Sequence, residues 1–188
     1  MSFTKLAQFC YPRVKLFVLE SRRGFAEAKR RLAELKVAAD LIDRGCRLSI
    51  PFGEDCNYDL IADYEGRLHR VQVKYTKSDG KVVVLRCRSH SLTNGKVRVT
   101  KLYTPATIDW LAAYDPTSER CYYLPSWELG TTGRDILHLR LQPARNNQRI
   151  GIREAIAYTD PDFTLDPSVE PAGIEPATFR VQGERSAS

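Results

Sequence analysis

The chain has 188 residues, 43% of them hydrophobic and 28% charged. That is enough for one domain with a real core, and no apolar run approaches the roughly 18 residues of a membrane helix. Lysine and arginine number 29 against 23 aspartates and glutamates, which permits a polyanionic partner without requiring one. Five cysteines (Cys10, Cys46, Cys56, Cys87, Cys121) are odd in number and form no C-x-x-C pair, which argues against a disulfide framework. A reducing cytoplasmic compartment fits better, and the basic start, Met1 to Lys15, lacks the apolar stretch of a signal peptide.

Residues 1–23 read as an N-terminal extension, in which Val14 to Leu19 has the character of an added edge strand. From about Gly24 to Arg44, Phe25, Ala28, Leu32, Leu35, Ala39 and Ile42 recur at three- and four-residue steps. This spacing is the apolar stripe by which a helix ordinarily faces a core, and Gly45 supplies the stop. A strand is expected over Cys46–Ile50, then a loop through Pro51 and Gly53. Tyr58–Asp63 alternates in strand fashion, Glu65-Gly66 makes a turn, and Leu68–Thr76 returns. Asp79-Gly80 reads as a second hairpin turn into Val82–Leu85.

Two more strand-like segments, Ile108–Tyr114 and Arg120–Leu124, are joined by Asp115-Pro116. A last strand over Ile136–Leu141 leads to a short helix near Ile152–Tyr158. The order predicts an α/β or α+β domain over 24–158, with a mixed sheet flanked by helices. Residues 159–188, rich in Pro, Asp, Glu and Ser, read as a disordered tail. Within it, Gly173 to Phe179 resembles the peptide encoded by the antisense of a transfer-RNA gene, as if a reading frame had overrun into a neighbour.

Chemistry concentrates on the hairpin. On the return strand Val71, Val73 and Tyr75 share one face, and Gln72, Lys74 and Thr76 the other. Asp59, Ile61 and Asp63 share a face of the partner strand, so pairing can set Asp59 beside Gln72 and Lys74. Oxygen donors beside a cation suit hard-metal phosphodiester chemistry, and a buried Asp–Lys ion pair is the structural alternative. Glu34 lies in line with Ala38 and Leu41, at the border of the helix's core face, where its carboxylate can point at the sheet.

In this order of elements the chain resembles the PD-(D/E)XK nuclease superfamily: a helix with a glutamate, a meander with the aspartate, and a strand carrying (D/E)-x-K. Gln72 replaces the acidic residue before Lys74, as in the group I intron-associated homing endonucleases, whose strand reads Q-V-K. The likeness extends through Leu32-Ala33-Glu34-Leu35, Arg44-Gly45, Tyr58-Asp59-Leu60 and Ile108-Asp109. It continues in Tyr122-Tyr123-Leu124-Pro125, Leu139-Arg140-Leu141 and Asn146-Asn147-Gln148. It covers roughly residues 24–158, with Tyr58 where the family nominally has proline; the literal Pro161-Asp162 has no partner downstream.

The resemblance implies a metal-dependent endonuclease acting on double-stranded DNA, with Mg²⁺ or Mn²⁺ as cofactor. Asp59, Gln72, the Val73 carbonyl and Glu34 would be the metal ligands, and Glu34, Asp59, Gln72 and Lys74 the catalytic set. Lys77, Lys81, Arg86, Arg88, Lys96, Arg98 and Lys101 are the candidate DNA contacts. Of these, Arg86, Arg88, Lys96 and Arg98 alternate as on a β-ribbon that could enter a groove. Cutting both strands favours a homo-oligomer, a dimer or tetramer. A junction-resolving or repair nuclease, or an inactive DNA-binding module of the same fold, is the alternative.

Overall fold

A computed structural model describes residues 22–53, 56–93, 96–142 and 151–169. Helix α1 (Arg22–Asp43) is followed by strands β1 (Arg47–Ser49), β2 (Leu60–Tyr64), β3 (Arg67–Tyr75), β4 (Val82–Arg86), β5 (Arg88–Thr93) and β6 (Lys96–Leu102). Then come β7 (Trp110–Asp115), β8 (Arg120–Pro125), a 3₁₀ turn over Ser126–Leu129, β9 (Ile136–Arg140) and a 3₁₀ turn over Ala155–Tyr158. The central sheet has the order β1-β2-β3-β7-β8, antiparallel except that β3 and β7 run parallel. This is the mixed α+β core expected from the sequence.

The β2–β3 turn is short because Tyr64 pairs with Arg67 around two residues of positive φ, Glu65 (49°) and Gly66 (83°). Such a turn matches the twist of the strands it joins, and Asp63 Oδ1 accepts from Gly66 N–H at 3.0 Å to hold it. Alternation along β7 then feeds two cores. Trp110, Ala112 and Tyr114 meet α1 on one face, and Leu111 and Ala113 meet β4 and β9 on the other. The result is three layers: helix, central sheet, and the β4–β9 pair. The antiparallel β5–β6 pair is a separate two-stranded ribbon.

Four expectations need correction. Helix α1 buries Ala33, Val37 and Leu41, while the stripe through Phe25, Leu32, Leu35 and Ile42 is exposed. Both stripes have helical spacing, and the one with small side chains allows the closer approach to a sheet. Asp79-Gly80 does not make a β3–β4 hairpin, since β4 pairs with β9. Strand β3 is flanked by β2 and β7 instead, and buried Asp115 captures the chain leaving it, accepting from Ser78 N–H at 2.9 Å and Ser78 Oγ at 2.7 Å. The expected helix near 152–158 is a 3₁₀ turn alone.

The tail expected from 159 is part of the domain through residue 169. Phe163 is buried among Tyr64, His69, Trp110 and Tyr123, with its ring 5.3 Å from Trp110 at 66°. Arg44 reaches Asp160 at 2.6 Å, and Pro167 O accepts from Ser126 Oγ at 2.8 Å and Trp127 N–H at 3.0 Å. Polar composition misled here because Asp162 and Asp166 fold the segment locally, capping Thr164 and Ser168, around one anchoring aromatic. The expectations for residues 1–21, for Asn146 to Gln148 and for Gly173 to Phe179 lie outside the described residues. Among the described residues, the cysteines are free and no helix is long and apolar enough to cross a membrane.

Candidate active site

Asp59 sits at the entrance to β2, where its N–H donates to Val71 O at 2.9 Å. The register Leu60↔Val71 then turns its carboxylate toward the next residues of β3. Asp59 Oδ2 accepts from Val73 N–H at 2.8 Å and, in a very short contact, from Gln72 Nε2. Gln72 Nε2 also donates to Val73 O at 3.1 Å. The positive end of the amide thus lies between a carboxylate and a carbonyl, where a cation would find oxygen donors. A half-turn of that amide exchanges its nitrogen for its oxygen.

Glu34 approaches from α1, with Arg30 one helical turn earlier at 3.7 Å. Burial, and then the negative charge of Asp59, push the Glu34 carboxyl above its ordinary range. Burial pushes Asp59 up as well, against the opposing Val73 N–H and Lys74. Arg30, Lys74 and the Val73 N–H offset these two partly desolvated like charges only in part, since both carboxyls stay raised, and a divalent cation would offset them further. Lys74 follows on the same strand face. Burial draws its ammonium below the usual lysine range, opposed by Asp59. Its Nζ donates to Tyr103 Oη at 2.8 Å and lies 4.8 Å from that ring's centroid.

Arg30, Glu34, Tyr58 and Asp59 line an open cleft of about 510 Å³, together with Ile50, Pro51, Gly53 and Cys56. Glu34, Asp59, Gln72 and Val73 are therefore drawn to one place, with Lys74 adjoining. The expected DNA contacts are more scattered. Lys77, Lys81, Arg86 and Lys101 are exposed, whereas Arg88 is tied to Asp135 at 2.8 Å. Arg86 belongs to β4 and Arg88 to β5, so their alternation does not lie on one ribbon; Lys96 and Arg98 do lie on β6 of the ribbon. Arg30 and Tyr103 join the residues expected from the sequence. Arg30's position four residues before Glu34 was a signal, but Tyr103 is 29 residues from Lys74, with no local pattern linking them.

A model of the PD-(D/E)XK endonuclease family matches residues 27–161. The chain belongs to the PD-(D/E)XK endonuclease family. Among solved structures, that of a bacterial homing endonuclease, I-Ssp6803I, has a TM-score of 0.54 and 24% sequence identity, covering 70% of this chain and 86% of that one. At that identity the likeness is one of fold. No curated protein matches the chain.

PD-(D/E)XK nucleases generally use divalent metals. In this chain Glu34 lies on α1, Asp59 just before β2, and Gln72 and Lys74 on β3, with an amide two residues before the lysine. Among the described residues, no group of three or more His, Cys, Asp or Glu side chains could hold a metal ion. The donor set is two carboxylates, one amide and one carbonyl, all oxygen once the amide is turned, which fits a hard cation.

Proposed function

We propose that this endonuclease is Mg²⁺-dependent, cuts double-stranded DNA, and is of the intron-homing type, working in the cytoplasm as a two-fold homo-oligomer. The convergence of Asp59, Gln72 and the Val73 carbonyl, with Lys74 next on the same face, is the observation that supports it most. Asp59, Gln72, the Val73 carbonyl and Glu34 would hold the metal. Bound there, Mg²⁺ would supply Lewis acidity and offset phosphate charge.

The chain's own residues do the rest. Lys74, held by Tyr103, orients the attacking water and offsets the charge that grows on the phosphoryl oxygens. Its lowered pKa brings it closer to accepting that water's proton. The water oxygen bonds to phosphorus as the P–O bond to a deoxyribose oxygen breaks; the water's proton passes to Lys74 or to solvent, and the departing oxygen takes one from solvent. Gln72 contributes a neutral oxygen, so negative charge at the metal rests with Asp59 and Glu34. Lys77, Lys81, Arg86 and Lys101 are exposed and would meet phosphates, and Lys96 and Arg98, on strand β6 of the ribbon, are candidates by position alone.

Digestion of a random-insert plasmid library with Mg²⁺ tests the reading, with a four-way junction as a parallel substrate. Linearisation at a recurring sequence is expected. Preferential junction cutting would instead indicate a resolving nuclease, and DNA binding without cutting an inactive module.

A further inference from the structure

Helix α1 carries a second apolar face that lies outside the core of the described residues. Phe25, Ala28, Leu32, Leu35, Ala39 and Ile42 follow alternating steps of three and four, a seven-residue repeat held over about 25 Å of helix. Phe25 is 61% exposed, Leu32 42%, Leu35 70% and Ile42 58%. At 100° per residue this seam points away from the buried stripe Ala33, Val37 and Leu41, on the opposite side of the helix. None of its six positions is charged, and the Lys29 ammonium lies 4.4 Å from the Phe25 ring centroid at one end.

We propose that this seam is a homodimer interface, in which α1 of a second copy packs antiparallel on α1. A seven-residue repeat calls for a helix of the same repeat, and α1 is the only α-helix among the described residues. The antiparallel register that places Phe25 opposite Ile42 of the partner copy also sets Ala28 against Ala39 and Leu32 against Leu35. Large meets large and small meets small, and the contact is its own mirror under a two-fold axis, as an isologous interface requires.

Charge selects the orientation. The first turn of α1 holds no acid and the last turn no base, so its own charges oppose its dipole. An antiparallel partner corrects this by bringing its Asp43 end to the Lys29 end of α1. The seam and its two alanines offer on the order of 600 Å² per copy, and flanking aliphatic stems bring this toward the roughly 800 Å² per partner of a standard interface. Arg30 and Glu34 lie toward the buried side, so the cleft stays open. The inference locates the two-fold assembly proposed above, and its test reads mass rather than cleavage, so the two can fail separately.

Light scattering on the full chain at tens of micromolar is expected to give an even multiple of the 21.4 kDa chain mass. Leu35→Glu is expected to reduce it to the single-chain mass with helicity unchanged. Asp43→Lys should weaken association, and adding Lys29→Asp should restore it. A single-chain mass for the parent overturns the proposal, as does an unchanged mass for Leu35→Glu or a failed charge reversal. Loss of helicity in Leu35→Glu also overturns it, assigning the seam to another segment of the same chain.

Discussion

At the scale of single residues, the placement of the candidate site was legible where strand periodicity fixes it. The alternation in β3 set Gln72 and Lys74 on one face, and the tight Glu65-Gly66 turn fixed the register that brings Asp59 beside Gln72. Glu34 followed from helical spacing. Tyr103 did not, because only the folded chain returns it to Lys74, through the N–H it donates to Cys87 O at the base of the ribbon. A hydrogen bond to a charged group contributes about 1.5–3 kcal/mol, so losing one that orients Lys74 slows the chemistry about tenfold or more. Tyr103→Phe keeps the ring and removes only the hydroxyl. Single-turnover cleavage is expected to fall by at least that factor, while DNA affinity measured without metal stays at the parent value.

At the scale of elements, β1, β2, β3, β7, β8 and β9 lie close to where alternation and turn residues put them. Periodicity was less informative for α1, which has two apolar stripes and no sequence feature saying which one meets the sheet. Pairing partners were also hidden: β4 follows a turn sequence suited to a hairpin, yet joins β9 more than 50 residues later. Composition hid the packing of 159–169, where one aromatic outweighs many polar neighbours. Phe163→Ala removes a buried ring from the cluster of Trp110, His69 and Tyr123. That costs about 3–5 kcal/mol, or a fall in melting temperature of about 10 °C, readable by calorimetry.

At the scale of the whole molecule, the final segment is clamped onto the sheet by a titratable residue. His69 donates from Nε2 to Phe163 O at 3.1 Å, and burial holds its pKa below the ordinary value of 6.5, against the opposing effect of that bond. The folded state therefore favours the neutral ring. Below pH 6.5 the unfolded chain takes up the proton first, so His69's contribution is intact above 6.5 and is lost as pH falls through the folded value. Asp59 and Glu34, whose pKa values are raised, act in the opposite sense at lower pH. His69→Gln separates the two effects: the parent's melting temperature should drop from pH 7 to pH 5 more steeply than the variant's.

All three scales meet in the claim that Asp59 and Lys74 serve metal-dependent cleavage rather than the fold alone. The direct measurement is single-turnover cutting, with Mg²⁺, of the plasmid site recovered from the library digest, by the parent, Asp59→Ala and Lys74→Ala. Each variant is expected to melt cooperatively and bind the site with parental affinity, yet cut at least about a hundredfold more slowly. Cutting at the parental rate by either variant would contradict the account. So would loss of folding in both, which would return the pair to a structural ion pair.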